Sequence, residues 1–97
     1  MRPYIVRPAA AADIRRAYRW YERQRDGLGE EFLTEVRAAM DAVFTAPTAY
    51  QVLHRQTRRV LVRRFPYGLL FRLIDDMVVF VGCFHTRRNP ESWARRR

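Results

Sequence analysis

Arg63–Arg97, RRFPYGLLFRLIDDMVVFVGCFHTRRNPESWARRR, decides how this chain folds. Tyr67 to Ile74 is rich in aromatic and aliphatic residues and reads as a strand. Met77 to Phe84 is almost wholly apolar and reads as a second. Asp75 and Asp76 between them suit a tight turn, because short acidic side chains bond the local backbone and tolerate left-handed conformations. The composition then changes abruptly to His85-Thr86-Arg87-Arg88-Asn89-Pro90, with Trp93 and three arginines beyond. This hairpin delivers a histidine and arginines to one sheet edge, where an anionic or acidic partner can be gripped.

Outward from the hairpin, Arg59 to Phe65 alternates imperfectly and reads as a further strand, with Pro66 marking a kink before the next. Signals from Thr48 to Thr57 are weak. Tyr50, Val52 and Leu53 are expected to anchor a loop there, with His54 and Arg55 facing solvent. Upstream lie two helical patterns. Phe32, Val36, Ala39, Met40 and Val43 share a helical face, widened by Phe44, and Pro47 stops the helix. Ile14, Ala17, Tyr18 and Tyr21 form a second face, with Arg15, Arg16, Arg19 and Arg23 around the remainder. That helix opens at the alanines before Asp13, which is expected in or near the first turn, where the helix dipole favours it. Gly27 and Gly29 break the chain between the two helices, and so short a link implies an antiparallel hairpin. Tyr4-Ile5-Val6 makes a short leading strand, stopped by Pro8.

The order is β-α-α-β-β-β. This predicts an α+β fold, with the helical hairpin packed on one face of a mostly antiparallel sheet and one domain spanning residues 1–97. The other sheet face is expected to carry Arg59, Arg63 and Arg72.

Ninety-seven residues suffice for one modest core. The net charge is +9, and all 19 basic residues are arginine. Arginine clamps phosphate or carboxylate with a planar fork but supplies no general base. Negatively charged partners are implied. Cys83 is the single cysteine and forms no internal disulfide; an apolar setting makes it a buried structural thiol suited to a reducing compartment. No stretch has the length of a membrane span or the pattern of a signal peptide, so a soluble cytoplasmic protein is expected.

His85 can act as general acid or base or as a partner contact; the commoner outcome is a strand-end histidine satisfied by backbone. No second ligand stands at metal spacing, so no metal or cofactor is expected. Arg87, Arg88, Arg95, Arg96 and Arg97 cluster with Trp93, which can stack on a base or fold back on the core. Tyr67 in Phe65-Pro66-Tyr67-Gly68 reads first as core at a strand bend, and otherwise as a hydroxyl donor near Arg63 or His85.

The whole chain resembles the ParE/RelE toxin superfamily of type II toxin–antitoxin modules. The resemblance rests on the leading strand, the Tyr18-to-Tyr21 stripe and Gly27-Leu28-Gly29 followed by Phe32. Further along, it rests on the stop at Pro47, Phe65-Pro66-Tyr67, Phe71-Arg72, and His85 through Trp93 in the form H-x-R-R-x-P-x-x-W. It implies a cognate antitoxin of ParD or RelB type, with operator DNA bound only through that complex and no membrane partner. It also implies one of two targets: DNA gyrase for the ParE (plasmid stabilisation) branch, or the ribosome and its mRNA for the ribonuclease branch. Ribonuclease members carry an arginine on the third sheet strand, where Gly68 stands here, along with lysines and a late tyrosine. This chain has no lysine and no tyrosine after Tyr67. The ParE branch is therefore the expectation, with a ribosome-dependent ribonuclease using His85, or a non-toxic binding module, as alternatives. Residues expected to bind target or antitoxin are Arg59, Arg63, Arg72, His85, Arg87, Arg88, Trp93 and Arg95.

Overall fold

The computed structural model describes residues 4–88. Strand β1 (Ile5–Val6) leads into helix α1 (Pro8–Gln24). Pro8 fits the first helical turn, because its missing N–H has no intrahelical partner there and its φ is already helical. The first turn therefore holds no acidic residue, and Asp13 lies beyond it, buried. That corrects the expectation that Asp13 sits in or near the first turn.

Helix α2 (Leu28–Thr45) begins immediately after Gly27, whose φ of 89° favours a residue without Cβ. Glu22 of α1 reaches over the link. Its carboxylate accepts the N–H of Gly27 at 3.0 Å and of Gly29 at 2.9 Å, so one helix caps the other. A Cβ on Gly29 would stand 2.7 Å from the Tyr18 ring and 2.8 Å from its carbonyl oxygen. The glycine pair thus sets both the turn and the close approach of the helices.

Phe32, Val36, Ala39, Met40 and Val43 face inward as the periodicity predicts. Phe44 does not widen that face: it is 50% exposed, because one step of about 100° past Val43 carries it off the stripe. A 3₁₀ turn, Pro47–Ala49, follows.

Four further strands complete the sheet: β2 (Val52–His54), β3 (Thr57–Leu61), β4 (Tyr67–Ile74) and β5 (Met77–His85). Their spatial order is β1-β5-β4-β3-β2. Only β1 is parallel to its neighbour, with Ile5 opposite Val79 and Val6 opposite Phe80. Strand β2 replaces the expected loop; three residues are too few to show a periodicity. Strand β3 also ends earlier than expected. Arg64 adopts a φ of 72°, and the Val62 N–H donates to the Tyr67 carbonyl at 2.8 Å, closing the chain on itself before β4. Arg63 therefore lies in a turn, not on the sheet.

The core fills the space between helices and sheet. Phe32, Leu69, Phe71 and Phe80 are completely buried there. Each such side chain contributes on the order of 2–3 kcal/mol through burial. At one end Phe65 and Tyr67 each meet Tyr21 and Phe32 edge to face, with Tyr21 and Phe65 centroids 4.9 Å apart. Leu70, Val79 and Val81 form a second buried cluster with Leu53 and Phe84. Cross-strand partners share a face, so Arg59 (opposite Leu70) and Arg72 (opposite Val79) lie on this second face.

One irregularity decides where the end of β5 points. Leu70 pairs with Gly82 but Phe71 pairs with Phe80, leaving Val81 as an extra residue. Such a bulge shifts the side-chain alternation by one. Phe80 faces the helices, and after the bulge Cys83 and His85 do too. In an unbroken strand they would face away.

Candidate functional site: a cationic cleft beside the first helix

Because of that bulge, the end of β5 meets the flank of α1. Between them opens a cleft of about 580 Å³, and its charged walls are Arg16, Arg19 and Arg23 of α1 and Arg88 of the following turn. Trp20 stands at its rim, 44% exposed. Asp13 is the single carboxylate lining it among the described residues. That carboxylate is committed: it accepts the Cys83 N–H at 3.0 Å and pairs with Arg16. Arg19, Arg23 and Arg88 have no carboxylate partner among the described residues.

His85 and Tyr67 sit at one end, directly opposite each other across the strands with ring centroids 5.2 Å apart. The Arg87 N–H donates to His85 Nδ1 at 3.1 Å, which makes that nitrogen an acceptor and leaves the proton on Nε2. Burial, then the nearby charges of Arg88 and Arg87, lower the imidazole pKa below its ordinary value. His85 is therefore neutral at pH 7. Burial raises the Tyr67 phenol, so it remains a hydroxyl donor. Burial also pushes the Cys83 thiol up to about 12, which makes it unreactive, as its buried apolar setting suggested. The arrangement presents fixed positive charge that can hold an anion, beside a Tyr67 that keeps its proton.

The turn after β5 is braced. Thr86 donates through its N–H to the Pro66 carbonyl at 2.9 Å, and the Arg88 N–H returns to the His85 carbonyl at 3.2 Å. Arg87 and Arg88 are exposed on it.

The other expected site residues do not converge on this cleft. Arg59 and Arg72 occupy the opposite sheet face. Arg72 reaches Gln56 at 3.5 Å, and its Nε is buried with no partner. Arg63 is exposed in the turn before β4 and borders a separate groove between α2 and β3, floored by Ala38, Ala39 and Ala42. Trp93 and Arg95 lie outside the described residues. The position of Gly68 is filled: a Cβ there would meet the Phe84 ring at 3.1 Å and the Arg59 stem at 3.4 Å. No arrangement of three or more metal-ligating side chains occurs among the described residues. None of the described helices is long and apolar enough to cross a membrane.

Sequence reasoning missed Arg16, Arg19, Trp20 and Arg23 as a group. The signal was present, since they recur at i, i+3, i+4 and i+7 and so share one stripe of α1. What was not legible is the bulge that brings His85 and Arg88 to that stripe.

No curated protein matches the chain in sequence. A solved chain from the chromosomal ParDE toxin–antitoxin system of P. aeruginosa shares the fold at a TM-score of 0.76. The match covers 88% of this chain and 98% of that one at 12% identity. The family model for the ParE toxin of the type II toxin–antitoxin system, parDE, matches residues 4–90. The chain belongs to the ParE toxin family of type II toxin–antitoxin systems.

Proposed function

We propose that this toxin inhibits DNA gyrase in the cytoplasm and is neutralised by a cognate antitoxin of ParD type. The observation that carries the choice of target is the hydrogen bond at His85 Nδ1. A metal-free ribonuclease needs an acid for the leaving oxygen and a base for the 2′-hydroxyl. The Nδ1 lone pair of His85 already accepts the Arg87 N–H and so is not free to take the 2′-hydroxyl proton, and Gly68 stands where ribonuclease members carry an arginine. A gyrase inhibitor needs no proton transfer of its own, only a rigid contact surface. The braced turn carrying Arg87 and Arg88 supplies one.

The antitoxin reading is supported by the family and by the groove between α2 and β3. Its small alanine lining admits an apolar segment closely, and Arg63 at its margin suits an acidic flank. Such a segment, disordered alone, folds on binding.

The test is a supercoiling assay with purified gyrase and toxin. Supercoiling should stop, or cleaved DNA should accumulate. The paired reversal Arg87→Glu and Arg88→Glu should abolish the effect with circular dichroism unchanged. Undisturbed gyrase together with mRNA cleavage on purified ribosomes would replace this reading by the ribonuclease one. Co-expression with the product of the adjacent gene should give a stable complex, and its failure would remove the antitoxin.

A further inference from the structure

We infer that the cleft beside α1 is a binding site for single-stranded nucleic acid, with phosphates held by Arg16, Arg19, Arg23 and Arg88 and a base set against Trp20. This deepens the proposed function, since it gives the toxin a direct hold on nucleic acid. It rests on independent observations, however.

The first is charge segregation. Among the described residues four guanidinium groups line the cleft against one carboxylate, and that carboxylate is spent on the Cys83 N–H and Arg16. Two arginines on another part of the surface are neutralised instead: Arg25 and Arg64 both bond Glu31, at 3.1 and 2.8 Å. The second is the aromatic. Trp20 is a large apolar ring left 44% exposed between Arg19 and Arg23 on the same helix. Arginines interleaved with an exposed aromatic are the chemistry of backbone tracking with base stacking. The third is shape. Arg16 to Arg23 extends about 10 Å along the helix, longer than the spacing of successive phosphates on one strand. The cleft is concave, walled by α1 on one side and the end of β5 on the other. A recess of about 580 Å³ admits a single strand. Reading a duplex through its major groove, about 12 Å wide, takes a protruding element, and α1 is held against the sheet instead.

The experiment is fluorescence anisotropy of a labelled dT12 oligonucleotide with the full-length toxin, in the absence of gyrase, over a range of salt. The toxin should bind in low salt, and log affinity should fall linearly with log salt. Arg19→Glu with Arg23→Glu should weaken binding at least tenfold and reduce the salt slope by about 1.4, the release expected for two lost single-strand contacts. Trp20→Ala should weaken it about tenfold through lost stacking. Arg37→Glu with Arg55→Glu makes the same charge change at exposed sites outside the cleft and should cost far less.

The inference falls if dT12 does not bind. It falls equally if the two charge-reversed pairs lose affinity alike, which would mean only net charge matters. An acidic peptide of equal charge that binds the cleft as tightly, with no loss in Trp20→Ala, would reassign the site to polypeptide. Supercoiling is measured separately on the same variants. Oligonucleotide binding without gyrase inhibition upholds this inference and defeats the proposed target; the converse upholds the target and defeats the inference.

Discussion

The two arms of the helical hairpin bury similar faces and expose opposite ones. Helix α1 contains two acids, and both are drawn into structural bonds: Asp13 to the Cys83 N–H and Glu22 to the Gly27 and Gly29 N–H groups. Of its arginines, Arg16, Arg19 and Arg23 face the cleft. Helix α2 contains Glu30, Glu31, Glu35 and Asp41 against one arginine, Arg37. Its acids look outward, and Glu31 and Glu35 hold Arg64 while Glu31 also holds Arg25. A net charge of +9 is therefore not spread evenly. Where an acid is used matters as much as where an arginine stands. One carboxylate turned inward converts a mixed helix surface into a cationic one.

If the helices differ only on their outer faces, their inner faces should tolerate loss equally badly. Phe32→Ala removes a completely buried ring and should lower stability by about 3–5 kcal/mol. Tyr21→Ala, in contact with the same rings, should fall in that range. Urea denaturation of the two variants measures this. A loss confined to one helix would show that the hairpin does not fold as one unit.

The comparison sharpens at Asp13. Asp13→Ala strands the buried Cys83 N–H, at a cost of about 1–3 kcal/mol. It also frees Arg16 and removes the only carboxylate that lines the cleft among the described residues. Stability should fall while oligonucleotide affinity rises. Movement of both in the same direction would mean that Asp13 acts on the cleft only through the fold. Glu31→Gln on the other helix should do neither. Its carboxylate is held below the usual range by bonds from Arg64 and Arg25, but the pairs are exposed and screened. The midpoint of unfolding at pH 7 should stay within error.

The hairpin of helices was legible because its apolar stripes are long, and because Gly27 and Pro47 punctuate them. Strands β4 and β5 were legible through their apolar runs and the Asp75-Asp76 pair. What escaped was short or relational. Strand β2 has three residues, so no pattern can form. The early end of β3 depends on a positive φ at Arg64, a residue type that gives no warning of it. The cleft depends on Val81 being one residue too many in β5. Val81 is an ordinary strand residue, so alternation reads straight through it and leaves His85 facing away from the helices. Of the expected contacts, the sequence placed Arg87 and Arg88 together by adjacency. It could not know that Arg63 would leave the sheet while Arg16, Arg19 and Arg23 would join them.

A small effect should come from His85, and its size separates gripping from proton transfer. The imidazole pKa is lowered in the folded protein, so the unfolded chain takes up the proton first as pH falls. The stability tied to the neutral form is present above about pH 6.5 and is lost below it, toward the lower folded value. His85→Gln keeps an acceptor for the Arg87 N–H but has no proton to gain. Its stability should track that of the parent at pH 7 to 8 and decline less between pH 6.5 and 5, with the difference small because the ring is only half-buried. Gyrase inhibition should fall by no more than about threefold at pH 7.5, because a neutral ring that makes a contact is replaced by a neutral amide that can make one. General acid–base catalysis lost at the same position typically costs on the order of a hundredfold or more. A loss of that size, with the unfolding curves unchanged, would give His85 a proton to move and undo the distinction between a surface that holds and a site that reacts.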